Sequence, residues 1–133
     1  MSLPPTDDST PLVRTDFSDE EAWRALLTAV TTPNEDDFLA NLQIVDDPDH
    51  RDLTSEQVAG LAGPDLFLIV ADRTALTAPG RPLLVLYRDE DESHELRVIA
   101  EELWSIENNI SLANMDWDDF ASSADEDGVF RGF

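Results

Sequence analysis

The stretch LFLIVADRTALTAPGRPLLVLYRDEDESHELRVIA, residues 66–100, decides the fold. It opens with LFLIVA (66–71), an unbroken apolar run rich in branched side chains. A strand covered on both faces has that composition, because neither face meets water. PLLVLY (82–87) repeats the pattern, while ELRVIA (95–100) alternates more, as a strand nearer an edge does. Between these two lies RDEDESH (88–94), too short for a crossover and acidic enough for an exposed hairpin loop. The fourth and fifth strands are therefore expected as an antiparallel ribbon. The preceding connection, DRTALTAPGR (72–81), is borderline in length and fits one helical turn.

Upstream, the clearest signals are helix starts. In TDFSDEEAW, Ser18 stands as an N-cap with Glu21 three residues later, a capping box, and Phe17 and Ala22 are placed for a hydrophobic staple. Trp23, Leu26, Leu27 and Val30 follow on one helical face, which predicts a helix over about 19–31. LTSEQV repeats the device: Thr54 caps, Gln57 answers it, and Leu53 meets Val58. Gly60, Gly63 and Pro64 are expected to end that short helix. Strands are predicted at PLVRTDF (11–17) and ANLQIVD (40–46), and residues 1–10 read as a loose tail before a domain over 11–133.

The order β-α-β-α-β argues for parallel strands joined by right-handed crossovers. The expected architecture is an α/β three-layer sandwich around a mixed, mainly parallel five-stranded sheet of order 2-1-3-4-5.

The C-terminal segment SLANMDWDDFASSADEDGVFRGF (111–133) invites a calcium-loop interpretation through DEDG. With Gly128 at position 6, Asp125 and Asp127 fall at positions 3 and 5, but the bidentate Glu required at position 12 would lie beyond Phe133. An EF-hand is rejected on that ground. Asp116 instead fits an N-cap with Asp119 answering it, and Met115 and Phe120 fit a staple. Trp117, Phe120, Ala121 and Ala124 make an apolar stripe, Gly128 is a stop, and Phe130 and Phe133 are placed to pin the terminus to the domain.

Charge narrows the function. Thirty acids face eight arginines and no lysine, a formal net charge of −22. Such a surface repels nucleic acid and anionic lipid, so neither is an expected partner. GC-rich codon usage or adaptation to salt accounts for Arg without Lys. The functional alternative is a domain that docks on a basic protein, or an inhibitor or immunity protein for one. Without cysteine there is no thiolate nucleophile and no zinc–thiolate site. With no long apolar run either, the expected location is cytoplasmic.

Two constellations are candidates for chemistry. Ligands of open α/β sheets favour the carboxyl edge of the parallel strands. Asp16 ends the first predicted strand, Asp46 and Asp47 the second, and Asp72 the third. Their carboxylates suit Mg²⁺, which prefers oxygen ligands, and would make the chain a Mg-dependent enzyme or sensor. The second candidate is a polar pocket under Trp104 formed by Glu107, Asn108, Asn109 and Asn114; the alternative is a self-satisfied irregular loop. His50 and His94 read as surface loop residues. No nucleophile elbow and no phosphate-binding glycine run is present, so catalytic residues are not assigned and a non-enzymatic binding role leads.

ELWSIENNISLANMDWDDFA followed by DEDGVFRGF resembles the signature of an uncharacterised family of small acidic proteins from high-GC, actinobacterial-type bacteria. The family is a domain of unknown function. The likeness runs from LVRTDFSDEEAW through VDDP and VADR to GVFRGF. It implies a GC-rich source for the composition and carries no catalytic residues to transfer.

Overall fold

The computed structural model describes residues 10–33, 37, 39–62, 67–89, 92–111 and 115–132. In chain order the elements are β1 (Thr10–Arg14), α1 (Glu20–Thr31), β2 (Leu42–Val45), a 3₁₀ turn (Pro48–His50), α2 (Ser55–Ala62) and β3 (Phe67–Ala71). There follow α3 (Arg73–Thr77), β4 (Pro82–Asp89), β5 (Glu92–Ile99), a second 3₁₀ turn (Ala100–Glu102), α4 (Leu103–Ser111), α5 (Trp117–Ala121) and β6 (Val129–Phe130).

The strands form one mixed sheet of order β2-β1-β3-β4-β5-β6. β1 is parallel to both β2 and β3, and β5 is parallel to β6; β4 is antiparallel to β3 and to β5. The expected order holds, with a sixth strand added at the far edge. The short connection over 72–81 makes a single helical turn, α3, and returns the chain antiparallel. The hairpin is longer than expected: much of RDEDESH is itself strand, with Arg88 opposite Ser93 and Tyr87 opposite His94. Of the tail assigned to residues 1–10, residues 1–9 lie outside the described residues, and Thr10 belongs instead to β1, paired with Leu42.

Period-two alternation splits the sheet into two apolar faces. Leu12, Ile69, Leu83, Val85 and Val98 point to one, where they meet Trp23, Leu26 and Val30 of α1 together with side chains of α3, α4 and α5. Val13, Val45, Leu68, Val70, Leu84 and Leu86 point to the other, where the helical cover is Val58 and Ala59 of α2. Four helices therefore pack on one face and one eight-residue helix on the other.

Local signals place the starts of α1, α2 and α5 within a residue. α1 begins one position later than expected: Asp19, not Ser18, is its N-cap and accepts from the Ala22 N–H at 3.1 Å. At α2 the capping box forms as read, with Thr54 Oγ1 accepting from the Gln57 N–H at 3.2 Å and Gln57 Oε1 accepting from the Thr54 N–H at 2.9 Å. Gly60 does not stop that helix, which runs on to Ala62. At α5 the Asp119 carboxylate accepts from the Asp116 N–H, Trp117 and Phe120 are buried, Ala121 is exposed, and Ala124, past the helix end, packs partly buried against the core. Phe130 is fully buried against Phe120, ring centroids 5.3 Å apart, which anchors the C-terminal segment. Phe133 lies outside the described residues.

Candidate functional site at the carboxyl edge

β1, β2 and β3 run parallel, so their carboxyl ends share one edge of the sheet, as the sequence implied. Each strand-end aspartate is engaged differently there. Asp46 meets Arg14 at 3.3 Å. Asp47 caps the 3₁₀ turn by accepting from the Asp49 N–H at 3.0 Å. Asp72 caps α3 through the Ala75 N–H at 3.1 Å and holds Arg97 with two bonds, at 2.8 and 2.7 Å.

Asp16 accepts from the Ser18 N–H at 2.8 Å through Oδ1, while Oδ2 is buried with no hydrogen-bond partner among the described residues. Burial pushes the Asp16 pKa up, yet the Ser18 bonds and the Arg73 and Arg14 charges outweigh it and hold the carboxyl below its ordinary value. Asp16 and Asp72 line one cavity of about 280 Å³ with Thr15, Asp52, Leu53 and Arg73; Asp46 and Asp47 do not line it. Among the described residues no three acids or histidines stand close enough to hold a metal ion.

That cavity is the end of a longer groove. Leu53 and Asp72 also line a neighbouring cavity of about 410 Å³, over Val70 and Leu84 and beside Glu95 and Arg97. Ser55 and Glu95 are shared in turn with a third cavity of about 370 Å³, which reaches Glu56, Ala59 and Leu86. The groove follows from the uneven cover of the sheet. α2 packs over Val13, Val70 and their neighbours, while beyond it the same face of β5 carries Ser93, Glu95 and Arg97, opposite Arg88, Leu86 and Leu84 of β4. Its floor is apolar and its rim mostly acidic.

Two arginines that matter here were not singled out in the sequence, and the histidines sit differently than expected. Arg14 is 2 % exposed, and its guanidinium donates to Glu20 at 2.7 Å and to the Asp16 carbonyl at 3.1 Å, and stacks 4.2 Å from the Phe17 ring centroid. Arg97 ties β5 to the start of α3 through Asp72. His50, read as a surface residue, is 2 % exposed, and neither ring nitrogen has a hydrogen-bond partner among the described residues. His94 is half-buried beside the stacked rings of Tyr87 and Trp117, 6.1 and 5.9 Å from their centroids. A strand end followed by a turn offers no sequence pattern for such tertiary partners.

The second sequence candidate lies at the opposite edge. Glu107 is 1 % exposed; its carboxylate accepts from the Thr10 hydroxyl at 3.0 Å and from the Asn41 N–H, tying α4 to the starts of β1 and β2. Asn108 donates to the Leu39 carbonyl at 3.0 Å and Asn109 to the Ser105 carbonyl at 2.8 Å. Trp104 lines a cavity of about 670 Å³ with residues of α1 and the second 3₁₀ turn. Asn114 lies outside the described residues. The expected irregular loop is instead mostly helix, and these amides and the carboxylate serve it as ties. In the C-terminal segment, Asp125 and Asp127, the carboxylates that suggested calcium, both grip Arg131, at 2.8 and 2.7 Å.

Fold and site together define an α/β domain with one mixed sheet, helices on both faces, and an acidic groove on the less covered one. The chain belongs to the family described as Domain of unknown function (DUF6924), which matches residues 9–133. The resemblance drawn from the C-terminal signature is thereby confirmed at the level of an unknown-function domain. No curated protein matches the chain. No helix among the described residues is long and apolar enough to cross a membrane.

Proposed function

We propose that the domain is a non-enzymatic binding module whose groove beside α2 receives a basic segment of a partner protein. The observation that carries this is the groove itself: Val70, Leu84 and Leu86 line its floor, and Asp16, Asp52, Glu56, Asp72 and Glu95 stand around it. Contact with the floor adds affinity, and the exposed acids Asp52, Glu56 and Glu95, which make no ion pair among the described residues, supply partner choice and association rate; Asp72 is already held by Arg97. A net charge of −22 adds long-range attraction for any cationic surface.

An inhibitor or immunity role for a basic protein is one form of the same activity, in a cytoplasmic setting that suits a chain without cysteine. Calorimetric titration of the full chain with an arginine- and leucine-containing peptide tests the proposal. Affinity should fall steeply over about a tenfold rise in salt but persist above that of an arginine–glycine peptide of equal charge. Equal binding of the two peptides, or none, overturns it. The rival Mg²⁺ site at Asp16 and Asp72 would show instead as saturable Mg²⁺ binding that the peptide does not displace.

A further inference from the structure

Within this groove, and resting on the reading just given, we infer that the cavity at Asp16 is a subsite for the cationic head of one arginine or lysine side chain of the bound segment. Asp16 is 9 % exposed, and its Oδ2 is a buried carboxylate oxygen with no hydrogen-bond donor among the described residues. Buried charged oxygens are costly without a partner, and nearly all have one. Oδ2 accepts and cannot donate when ionised, so the group that completes it is an N–H or O–H donor, and a charged one is favoured.

The other lining groups agree. Asp52 and Asp72 are further acids, Leu53 offers an apolar wall for methylene groups, and Arg73 is the single cation in the lining. Arg73 makes no ion pair among the described residues, yet its charge acts on Asp16. Arg14, from its bond to the Asp16 carbonyl, acts on the carboxylate in the same sense, so an incoming cation would share Asp16 with these two charges. A volume of about 280 Å³ is small for a whole organic ligand and sufficient for a side-chain head.

The test uses the ¹⁵N-labelled full chain titrated with ethylguanidinium, ethylammonium and tetramethylammonium chlorides, the last being a cation with no N–H to donate. Saturable amide shifts at Thr15, Asp16, Ser18 and Leu53 are expected with one or both of the first two and not with the third; which of the two binds tighter distinguishes arginine from lysine. Asp16→Asn keeps an oxygen for the Ser18 N–H and should weaken that binding about tenfold or more. Asp118→Asn, an exposed acid on α5, changes the net charge equally and should leave it unchanged. Arg73→Gln should strengthen it several-fold. Shifts that are absent in the unmodified chain, that survive Asp16→Asn, or that tetramethylammonium reproduces overturn the subsite. The peptide titration reports separately on the groove: peptide affinity unchanged in Asp16→Asn leaves the groove and removes the subsite. Ethylguanidinium binding lost in Asp16→Asn, without peptide binding, does the reverse.

Discussion

Asp16 and Glu107 are both buried carboxylates, and they differ in what surrounds their oxygens. Both oxygens of Glu107 accept protein hydrogen bonds, one from Thr10 and one from the Asn41 N–H. Glu107→Gln places an amide N–H₂ against one of those donors, and a loss of about 1–3 kcal/mol of stability is expected, read from urea unfolding at constant m-value. Asp16 has only one oxygen bonded, yet its pKa lies below the ordinary value. A group depressed in the folded state stabilises when ionised. That contribution is complete above the unfolded-state pKa and disappears as pH falls through the folded one. The acid limb of a plot of Tm against pH should therefore be shallower for Asp16→Asn than for the unmodified chain; superimposed limbs would refute the linkage.

At the scale of elements, what was legible was local. The capping box at Thr54 and Gln57 and the apolar face of Trp23, Leu26 and Val30 depend on neighbours within one or two turns, and the structure shows both. Ser18 and Asp19 are equally good caps by type; Asp19 takes the role while the Ser18 N–H goes to Asp16. The two-residue strand β6 is too short to leave a periodic trace, and only its pairing with Arg97 and Val98 defines it. Gly60 was misread as a helix stop because glycine is a common one, whereas here it sits inside α2 without a positive φ. A Cβ added there would meet no atom within 4 Å. Gly60→Ala should accordingly raise stability by about 0.5–1 kcal/mol, seen as a higher urea midpoint, since alanine gives up less backbone entropy in a helix. An unchanged or lowered midpoint would mean that α2 is not helical at this position.

For the whole molecule, the site was half legible. Topology placed Asp16, Asp46, Asp47 and Asp72 at one edge before any coordinates, because parallel strands must end together. Their separate engagements were not legible: Arg14, Arg97 and the 3₁₀ turn claim three of them through contacts 2 to 32 residues apart in sequence. The groove was hidden for a related reason. It exists because α2 is short and the β4–β5 ribbon extends past it, a relation between elements that no single segment records. Uneven cover leaves apolar floor and acidic rim side by side, and on that juxtaposition the binding proposal stands.

The most direct test maps the arginine- and leucine-containing peptide onto the ¹⁵N-labelled chain. Binding in the groove predicts saturable shifts concentrated at Leu53, Ser55, Glu56 and Ala59 and across the sheet at Ser93, Glu95 and Arg97, with little change on α1 and α5. Shifts spread evenly over the acidic surface, or centred on α1 and α5, would contradict it.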